Sequence, residues 1–428
     1  MEDQRVSLAA PAEGWPAFFR RQVAANVRFW LEHVPAADAG GQATYPEHEN
    51  VLKALDRALE LETAWDEVVN LFATYHPFVE RRGGWGSWVW MIERGLQVSR
   101  RHGNRWHEAT LTDRLGEVHR YRGDWREAEA CHRRAVELFR ACDEAPGETG
   151  PGLGERPGGE QVVAGEARAL ANLGEMYQLQ HRYAEAEQVL ELALDRYRAA
   201  GNAAGEAFAH NNLGLADKEQ GLYDEALLHF RAARDLWSES GTRAGVARAV
   251  HNEGTVHLHK GDRAAAEECL VAAARLYEET GSALYAAVIK IDLGNLYLKR
   301  GQPAEAEAHY RQALAGLNTT EYPLARAHAA NNLGMACARQ GRWDEARTWY
   351  DEAISRHRQV GNCLGQANSE DNLAEAYIAQ ARWQEARAAV NRARALLANL
   401  EQTAPVRSLL SDIEAHEREI EAGAGGCF

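Results

Sequence analysis

An amide side chain recurs every 40 residues along part of this 428-residue chain. An amide offers two N–H donors and one carbonyl acceptor, so a row of amides can hydrogen-bond the backbone of an extended peptide. Asparagine is a mediocre helix former, so its recurrence inside a helix needs a physical reason. Two interpretations stay open: the amides clamp a bound peptide, or each one bonds a neighbouring helix. The series is Asn172, Asn212, Asn252, Asp292, Asn332 and Asn372, and the preceding position adds Asn211, His251, Asn331 and Asp371.

Residues one helical turn from these amides would give a peptide site its specificity. They include Arg168, Phe208, Arg248 and His328 before the amide, and Lys218 after it. The cations among them, with Arg114 and Arg120, predict a basic early and middle surface, whereas Asp292, Asp371 and Glu375 predict an acidic late surface. We therefore expect a ligand with acidic groups toward its middle, such as an acidic peptide. The predicted peptide-binding residues are Asn172, Asn211, Asn212, Asn252, Asn331, Asn332, Asn372, Arg168, Phe208, Arg248, Lys218, His251 and His328.

Catalytic and metal sites are not predicted. His257 and His259 point about 200 degrees apart on a helix, so they cannot converge with His251 on one metal. Cys131 and His132 are adjacent and diverge, whereas a nucleophile needs its base within hydrogen-bond reach. We expect no cofactor and no enzymatic activity.

The amides belong to a longer repeat, which must position them. Each amide lies two residues before a small residue that we call the anchor of the repeat. Alanines recur 12 and 19 residues after every anchor. A fixed period of this length indicates a solenoid of stacked units. Each unit is predicted to be two helices joined by a tight turn, in which Gly221, Gly261, Gly301 and Gly341 accept a positive φ, while His181 and Ala381 depart from the pattern. The anchors are Gly174, Gly214, Gly254, Gly294, Gly334 and Ala374.

The repeat resembles the tetratricopeptide repeat. Its Leu-Gly pair is followed three residues later by Tyr177, Tyr297 or Tyr377, and the second helix carries an alanine with a bulky residue four positions on, such as Tyr310 or Tyr350. With 40 residues instead of 34, the unit is similar to the repeats of kinesin light chains and Pins-type scaffolds. The resemblance implies an all-α, right-handed α-solenoid (superhelix) of helical hairpins with N- and C-terminal capping helices. It also implies a peptide-binding role, because kinesin light chain-like repeats use similar asparagines to hold a peptide backbone.

The same register predicts the domain organisation. Residues 1–62 form an N-terminal helical cap, 63–102 a degenerate repeat, 103–142 a repeat, and 143–160 a Gly/Pro-rich insert loop. Six tandem 40-residue repeats follow over 161–400, and 401–428 form a C-terminal capping helix and flexible tail. Eight of the twelve tryptophans precede residue 126, which indicates a large apolar contact in the cap. The insert is expected to be a flexible bulge, with regulatory proteolysis as a sharper hypothesis.

A second resemblance lies in the N-terminal segments. The run Glu47-His48-Glu49-Asn50-Val51-Leu52-Lys53-Ala54-Leu55, then Arg82-Gly83-Gly84-Trp85 and Ile92-Glu93-Arg94-Gly95-Leu96, is similar to the sensor region of STAND and NB-ARC-type signalling ATPases. In those proteins a nucleotide-binding module precedes this region. No Gly-x-x-x-x-Gly-Lys-Ser/Thr loop occurs here, so we expect this chain to lack the switch.

The composition argues against some classes of binding partner. A net charge of -15 argues against a general nucleic-acid binder, which normally carries a basic stripe. No run of 18 apolar residues or basic-then-apolar leader occurs, so we expect a cytoplasmic protein without a membrane partner. The six cysteines lack paired metal spacing and indicate reduced thiols.

The sequence therefore predicts a non-enzymatic adaptor or sensor that holds a protein or peptide segment in the groove of the solenoid. One alternative is a regulatory or inhibitory subunit of a separate effector, such as a protease or signalling ATPase. Another is a structural scaffold whose tryptophan-rich N-terminal cap serves for docking or self-association, which changes at Trp88 and Trp90 would test. The oligomeric state and the identity of the partner do not follow from the sequence.

Overall fold

The computed structural model describes residues 14–39, 45–82, 85–144, 158–317, 322–398, 400 and 404–425. Within these ranges the chain forms nineteen α-helices and no strand. None of these helices combines the length and apolar composition needed to cross a lipid bilayer. Most of the predicted insert, at 145–157, lies outside the described residues, as do residues 1–13 of the predicted cap and residues 426–428 of the tail.

The helices follow one another with short connections. They are α1 (Trp15–Ala39), α2 (Tyr45–Leu61), α3 (Trp65–Arg82), α4 (Trp85–Arg101), α5 (Arg105–Arg122), α6 (Trp125–Glu144), α7 (Gly159–Leu179), α8 (Tyr183–Ala199), α9 (Ala203–Gln220), α10 (Tyr223–Glu239), α11 (Arg243–Lys260), α12 (Arg263–Glu279), α13 (Ala283–Lys299), α14 (Pro303–Gly316), α15 (Pro323–Arg339), α16 (Trp343–Gln359), α17 (Cys363–Ile378), α18 (Trp383–Leu397) and α19 (Ala404–Gly425).

The chain divides into two compact units, Met1–Glu225 and Ala226–Phe428. In the first unit α5 packs on α6 and α7 on α8, and the first helices of successive hairpins also pack together, α3 on α5, α5 on α7 and α7 on α9. The second unit repeats this plan from α11 to α18, with α13 on α15 and α15 on α17. The predicted all-α solenoid of helical hairpins is confirmed.

Small residues set the distance between the two helices of a hairpin. All twelve alanines that recur in the second helices are fully buried. A Cβ atom added to Gly294 would lie 2.4 Å from the Tyr310 ring, and one added to Gly334 would lie 2.7 Å from the Tyr350 ring. The rings of the second helix therefore occupy the space that a side chain on the anchor would fill.

The turns adopt the predicted left-handed conformation. Gly221 has φ of 80° and Gly301 has φ of 73°. His181 and Ala381 stand at the same place in their repeats and also have positive φ, at 59° and 54°. A non-glycine residue is rarely found there, so tertiary packing imposes this conformation on both residues.

A glutamate on the second helix joins each of several hairpins to the next one. Glu129 of α6 accepts hydrogen bonds from Tyr177 Oη and Arg182 Nη1, both at 2.9 Å. Glu307 of α14 accepts from Gln340 Nε2 at 2.9 Å and pairs with Arg342. These contacts tie the first helix of one hairpin to the second helix of the preceding hairpin. The sequence analysis did not identify them.

The ends of the array are closed in different ways. At the N-terminal end Trp65, Phe72 and Trp88 are almost fully buried in one core with residues of α1 to α5. At the C-terminal end α19 packs on α17 and α18 through Leu409, Ile413 and Ile420. Its other side is exposed and largely polar, which suits a terminal helix of a repeat array.

Substitution of the anchor glycine tests the hairpin packing. We expect Gly294→Ala to destabilise the protein by about 1–3 kcal/mol, because its Cβ overlaps the buried Tyr310 ring. Gly254→Ala should cost less, because its Cβ would lie 3.1 Å from the nearest atom, Cys269 Cβ. Gly86→Ala has no atom within 4 Å and is the control. Urea unfolding measures all three, and equal stability of the three variants would contradict this account.

Candidate functional site

The predicted amides lie on one face of the first helices, which we call the ladder face. The residue three positions before an anchor meets the residue two positions before the next anchor. Asn172 Nδ2 lies 3.2 Å from Asp113 Oδ1, and Asn372 Nδ2 donates to Asn331 Oδ1 at 3.0 Å. His251 Nε2 lies 3.0 Å from Asp292 Oδ2. These contacts join neighbouring first helices, so at these positions the side chains stabilise the stack.

The capping helix α19 continues the same pattern. His416 Nδ1 lies 2.8 Å from Asp371 Oδ1, where the next repeat would have placed its amide. The hydrogen bond to Asp371 raises the pKa of His416 above its ordinary value, which favours the imidazolium form beside the carboxylate. The C-terminal cap is thus joined to the ladder by a charged pair.

The pattern breaks where the residue three before the anchor is apolar. Ile291 offers no acceptor, and Asn332 Nδ2 donates instead to Asn295 Oδ1 at 2.9 Å. Ala171 offers none either, and Asn212 has no substitute partner for its Nδ2 among the described residues. Asn212 is 4% exposed.

Other atoms of Asn212 are satisfied. Its backbone carbonyl accepts from Gln178 Nε2, and its Oδ1 lies 3.4 Å from Asn211 Nδ2. A buried N–H left without an acceptor costs about 1–3 kcal/mol. The first unit therefore holds one ladder amide whose donor the fold itself leaves unused.

The other predicted peptide-binding residues differ in how far their side chains are exposed to solvent. Asn252 and Phe208 are half-buried, and Phe208 packs against the core of the first unit. Lys218 Nζ pairs with Glu219 at 3.0 Å. Arg248 and His328 are exposed. Arg248 extends over the Trp237 ring at 5.8 Å, and the His328 ring lies 5.2 Å from that of His357.

A buried ionic network at the start of the ladder was missed in the sequence. Asp113 is fully buried and lies 2.9 Å from both His132 Nδ1 and Arg168 Nε. Burial favours the protonated acid, but the hydrogen bond to His132 and the charge of Arg168 outweigh it and hold the pKa of Asp113 well below its usual range. Extending the register back to the anchor Gly116 would have identified Asp113, because it occupies the position of Asn211 and His251.

Most of the charges that suggested the predicted charge polarity are paired within the fold. Arg114 pairs with Glu117 at 2.7 Å, Arg120 with Glu175 at 3.1 Å, and Arg168 with Asp113. The late acidic residues Asp292 and Asp371 each face a histidine. A charge that is matched inside the fold contributes little net field to a ligand.

The reactive side chains are engaged or inactive. Burial raises the pKa of Cys131 to about 11, which keeps it a thiol at neutral pH. Among the described residues one group, Glu307, Cys337 and Glu345, brings three candidate metal ligands within 4.8 Å. The carboxylates of this group already bind the guanidiniums of Arg311 and Arg342, so cations of the protein occupy the position of a metal ion.

Of the two tryptophans named for the docking hypothesis, Trp88 and Trp90, only Trp90 is accessible to a partner. Trp88 is fully buried, and its Nε1 donates to His76 Nδ1 at 3.2 Å. It therefore belongs to the core, and substituting it would disturb folding. Trp90 is 52% exposed beside a groove of about 540 Å³ that Leu52 and Met91 also line.

Removal of the Asp113 charge tests the ionic network. We expect Asp113→Asn to destabilise the protein by about 3–5 kcal/mol, because it leaves Arg168 without its buried partner. Asp195→Asn, at a 76% exposed side chain of the same unit, should change the stability by less than about 0.5 kcal/mol. Urea unfolding at pH 7 compares them, and similar losses would show that the network is dispensable.

His357 provides a test by pH. Burial, aided by the charge of His328, lowers the pKa of His357 to about 4 in the folded protein. The unfolded chain, with a pKa near 6.5, binds the proton more readily, so folded stability falls as the pH drops from about 6.5 toward 4. Against wild type, His357→Phe should gain stability across this window in urea titrations. A stability difference that is independent of pH would contradict the assignment.

Several solved structures share this fold. The quorum sensor NprR from B. thuringiensis, in its apo form, is 13% identical, with a TM-score of 0.54 over 88% of this chain and 99% of that chain. A STAND protein with a tetratricopeptide repeat sensor, PH0952 from Pyrococcus horikoshii, is 13% identical, with a TM-score of 0.57 over 86% of this chain and 52% of that chain. A Rap protein complexed with Competence and Sporulation Factor is 14% identical, with a TM-score of 0.50 over 92% and 99%. At these identities the similarity establishes the fold alone.

No curated protein sequence matches the chain. Two family models do match, both described as the tetratricopeptide repeat. One covers residues 165–239, 245–319 and 325–399, and the other covers residues 110–141. The first alone spans more than half of the 428 residues, so the chain belongs to the tetratricopeptide repeat family.

Proposed function

We propose that the protein is a non-enzymatic adaptor or sensor that binds an extended peptide or partner segment on its ladder face. The unpaired Nδ2 of Asn212 is the observation that carries this proposal. In the free protein this donor is buried without an acceptor, and a rotation of the Asn212 side chain toward the ladder face would bring it to a peptide carbonyl. Most other ladder amides hydrogen-bond to residues of neighbouring helices. In this proposal Asn212 therefore makes the main hydrogen bond to the ligand, and its neighbours shape the surface around it.

The fold shared with a quorum sensor and with a Rap protein complexed with a factor supports a sensing role. Layers of helices with a repeating polar face suit extended ligands, because each repeat presents similar groups along the path of the chain. In the second unit, considered by itself, Asn252 and Asn332 are half-buried and not fully enclosed.

Two asparagine substitutions separate binding from stacking. Asn332→Ala removes a hydrogen bond to Asn295 and should destabilise the protein by about 0.5–1.5 kcal/mol. Asn212→Ala removes an unused donor together with the Oδ1 that accepts the long, 3.4 Å hydrogen bond of Asn211, so it should cost less stability than Asn332→Ala. It should weaken peptide binding by about tenfold, since one hydrogen bond of about 1.4 kcal/mol is lost.

Peptides for this measurement come from selection of a random dodecapeptide display library on the full-length wild-type chain. Fluorescence polarisation of labelled selected peptides then gives affinities for wild type and for Asn212→Ala, and urea unfolding gives the stabilities. Equal affinities would remove Asn212 from the site. Failure to select any peptide that binds the chain in solution would contradict the proposed function itself.

A further inference from the structure

One exposed face of α4 differs from the same face of the later repeats. α4 occupies the place of a second helix, because its first residue, Trp85, corresponds to Trp125 of α6 forty residues later. Its third residue is Ser87, whereas six of the seven later second helices that the structure describes have a glutamate there. Its sixth residue is Trp90, where those helices have mostly small or polar residues. The acidic surface of the repeat is thus replaced in α4 by a neutral, partly apolar one. The glutamates are Glu127, Glu185, Glu225, Glu305, Glu345 and Glu385.

The packing of the cap does not require this change. Trp88 and Ile92 of α4 are fully buried in the core, whereas Ser87 and Trp90 are exposed, Trp90 by 52%. A Cβ atom added to Gly86 would meet no described atom within 4 Å, so no close contact selects glycine at that place. An aromatic ring left in water forgoes the free energy that its burial would supply. The exposed ring and the small residues beside it therefore indicate a surface that another molecule covers.

The Trp90 ring stands beside a groove between α2 and α4 that has a volume of about 540 Å³. Leu52 of α2 and Met91 of α4 line it with apolar side chains, and Gly86 and Ser87, one turn before Trp90, add little side-chain volume. A recess of this size admits an aromatic side chain. One patch thus holds both a protruding ring and a recess that receives one. We call Leu52, Gly86, Ser87, Trp90 and Met91 the Trp90 patch.

Arg94 holds the Trp90 ring in position. Its guanidinium lies 5.0 Å from the centre of the ring and pairs with Asp56 of α2. A cation over an aromatic face is attracted to the ring, and the carboxylate keeps that cation in place. A ring that is already held loses less conformational entropy when a partner covers it. The patch is therefore prepared for contact before any partner arrives.

The charges at the rim of the Trp90 patch balance one another. Glu49 pairs with Lys53 at 3.3 Å, and Asp56 pairs with Arg94. The chain as a whole has a net charge of -15, so two copies of it repel each other on average. An electrically neutral patch avoids that repulsion locally. The exposed Glu49 and Lys53 also allow each copy to offer both signs of charge to an identical surface.

We propose that two copies of the chain pair through the Trp90 patch, with Trp90 of each copy entering the groove of the other. A two-fold interface brings the same patch of both copies together, so that patch has to contain both the ring and the recess that receives it. Trp90 and the adjacent groove meet this requirement, and the rim charges are complementary to themselves. This pairing goes beyond the proposed peptide binding and does not depend on it.

The expected dimer is weak. An aromatic side chain buries about 150–250 Å², so the two rings together supply about 300–500 Å². Stable protein interfaces bury about 1,200–2,000 Å² in total. The facing sides of α2 and α4 supply further area around the rings, and we expect the copies to associate at micromolar concentrations.

Sedimentation equilibrium of the full-length chain tests the pairing. The weight-average mass should rise from the 47.5 kDa of one chain toward twice that value over about 1–100 μM. Trp90→Ala should weaken the dimer by about a hundredfold or more, because the symmetry removes two buried rings at once. The matched control is Trp125→Ala, at a 39% exposed tryptophan of α6 outside the groove, which should leave the association unchanged. Circular dichroism establishes that each variant is folded.

A second variant fills the groove and keeps the ring. Gly86→Leu adds a side chain where no described atom lies within 4 Å, so the chain should fold normally, yet the partner's Trp90 loses its place and the dimer is lost. An equimolar mixture of Trp90→Ala and Gly86→Leu should associate more tightly than either variant alone. In the mixed pair the remaining ring meets the open groove, and the filled groove faces the position of the removed ring. General adhesion between apolar surfaces would not produce this recovery.

Three results would overturn the inference. A chain that keeps the monomer mass up to about 100 μM would leave the groove to a segment of its own chain or to a different protein. A dimer that survives both Trp90→Ala and Gly86→Leu would place the interface elsewhere, and a mixture no tighter than its components would exclude the reciprocal insertion. None of these results bears on the peptide affinities of Asn212→Ala, which test the proposed function separately.

Discussion

The structure depends on how closely the two helices of each hairpin approach. An alanine at two places in the second helix, and a glycine or alanine at the anchor of the first, leave room for a ring or leucine to enter the gap between the helices. Larger residues would separate the helices and expose the apolar side chains that hold the stack. Because small residues recur at the same places in the hairpins, the first helices of neighbouring hairpins pack together, as α5 does on α7 in the first unit and α13 on α15 in the second.

The common register explains the behaviour of the polar ladder. When residues at equivalent positions meet across neighbouring helices, a donor on one side needs an acceptor on the other. Asn331 and Asn372 satisfy this requirement, and so do Asp371 and His416 at the cap. Where Ala171 and Ile291 break it, the two sites reach different outcomes: Asn295 rescues Asn332, and Asn212 keeps an unused donor. The stacking interpretation therefore holds for most of these amides, and Asn212 is the one for which we propose a ligand.

Ion pairing decides where the surface charge of this acidic protein can act. Arg114, Arg120 and Arg168 are committed to carboxylates in or beside the core, and the buried network around Asp113 holds three helices together. The electrostatic character of the ladder face follows from which charges remain unmatched, and their order along the chain does not reveal it.

The sequence by itself determined the repeat, the fold class, the turns and the face on which the amides lie. These follow from periodicity and from the steric demands of glycine and alanine, which are local and additive along the chain. The tertiary structure decided which amide keeps a free donor, which charges cancel and which tryptophan of the cap is accessible. Those properties depend on contacts between residues about 40 positions apart or more, as in the pairing of Asp113 with Arg168, and a hydrogen bond or ion pair exists only when both partners meet in space. Asn212 and Asn332 share one repeat position and one residue type, yet their neighbours in space decide that the Nδ2 of Asn332 is paired within the stack and that of Asn212 is not.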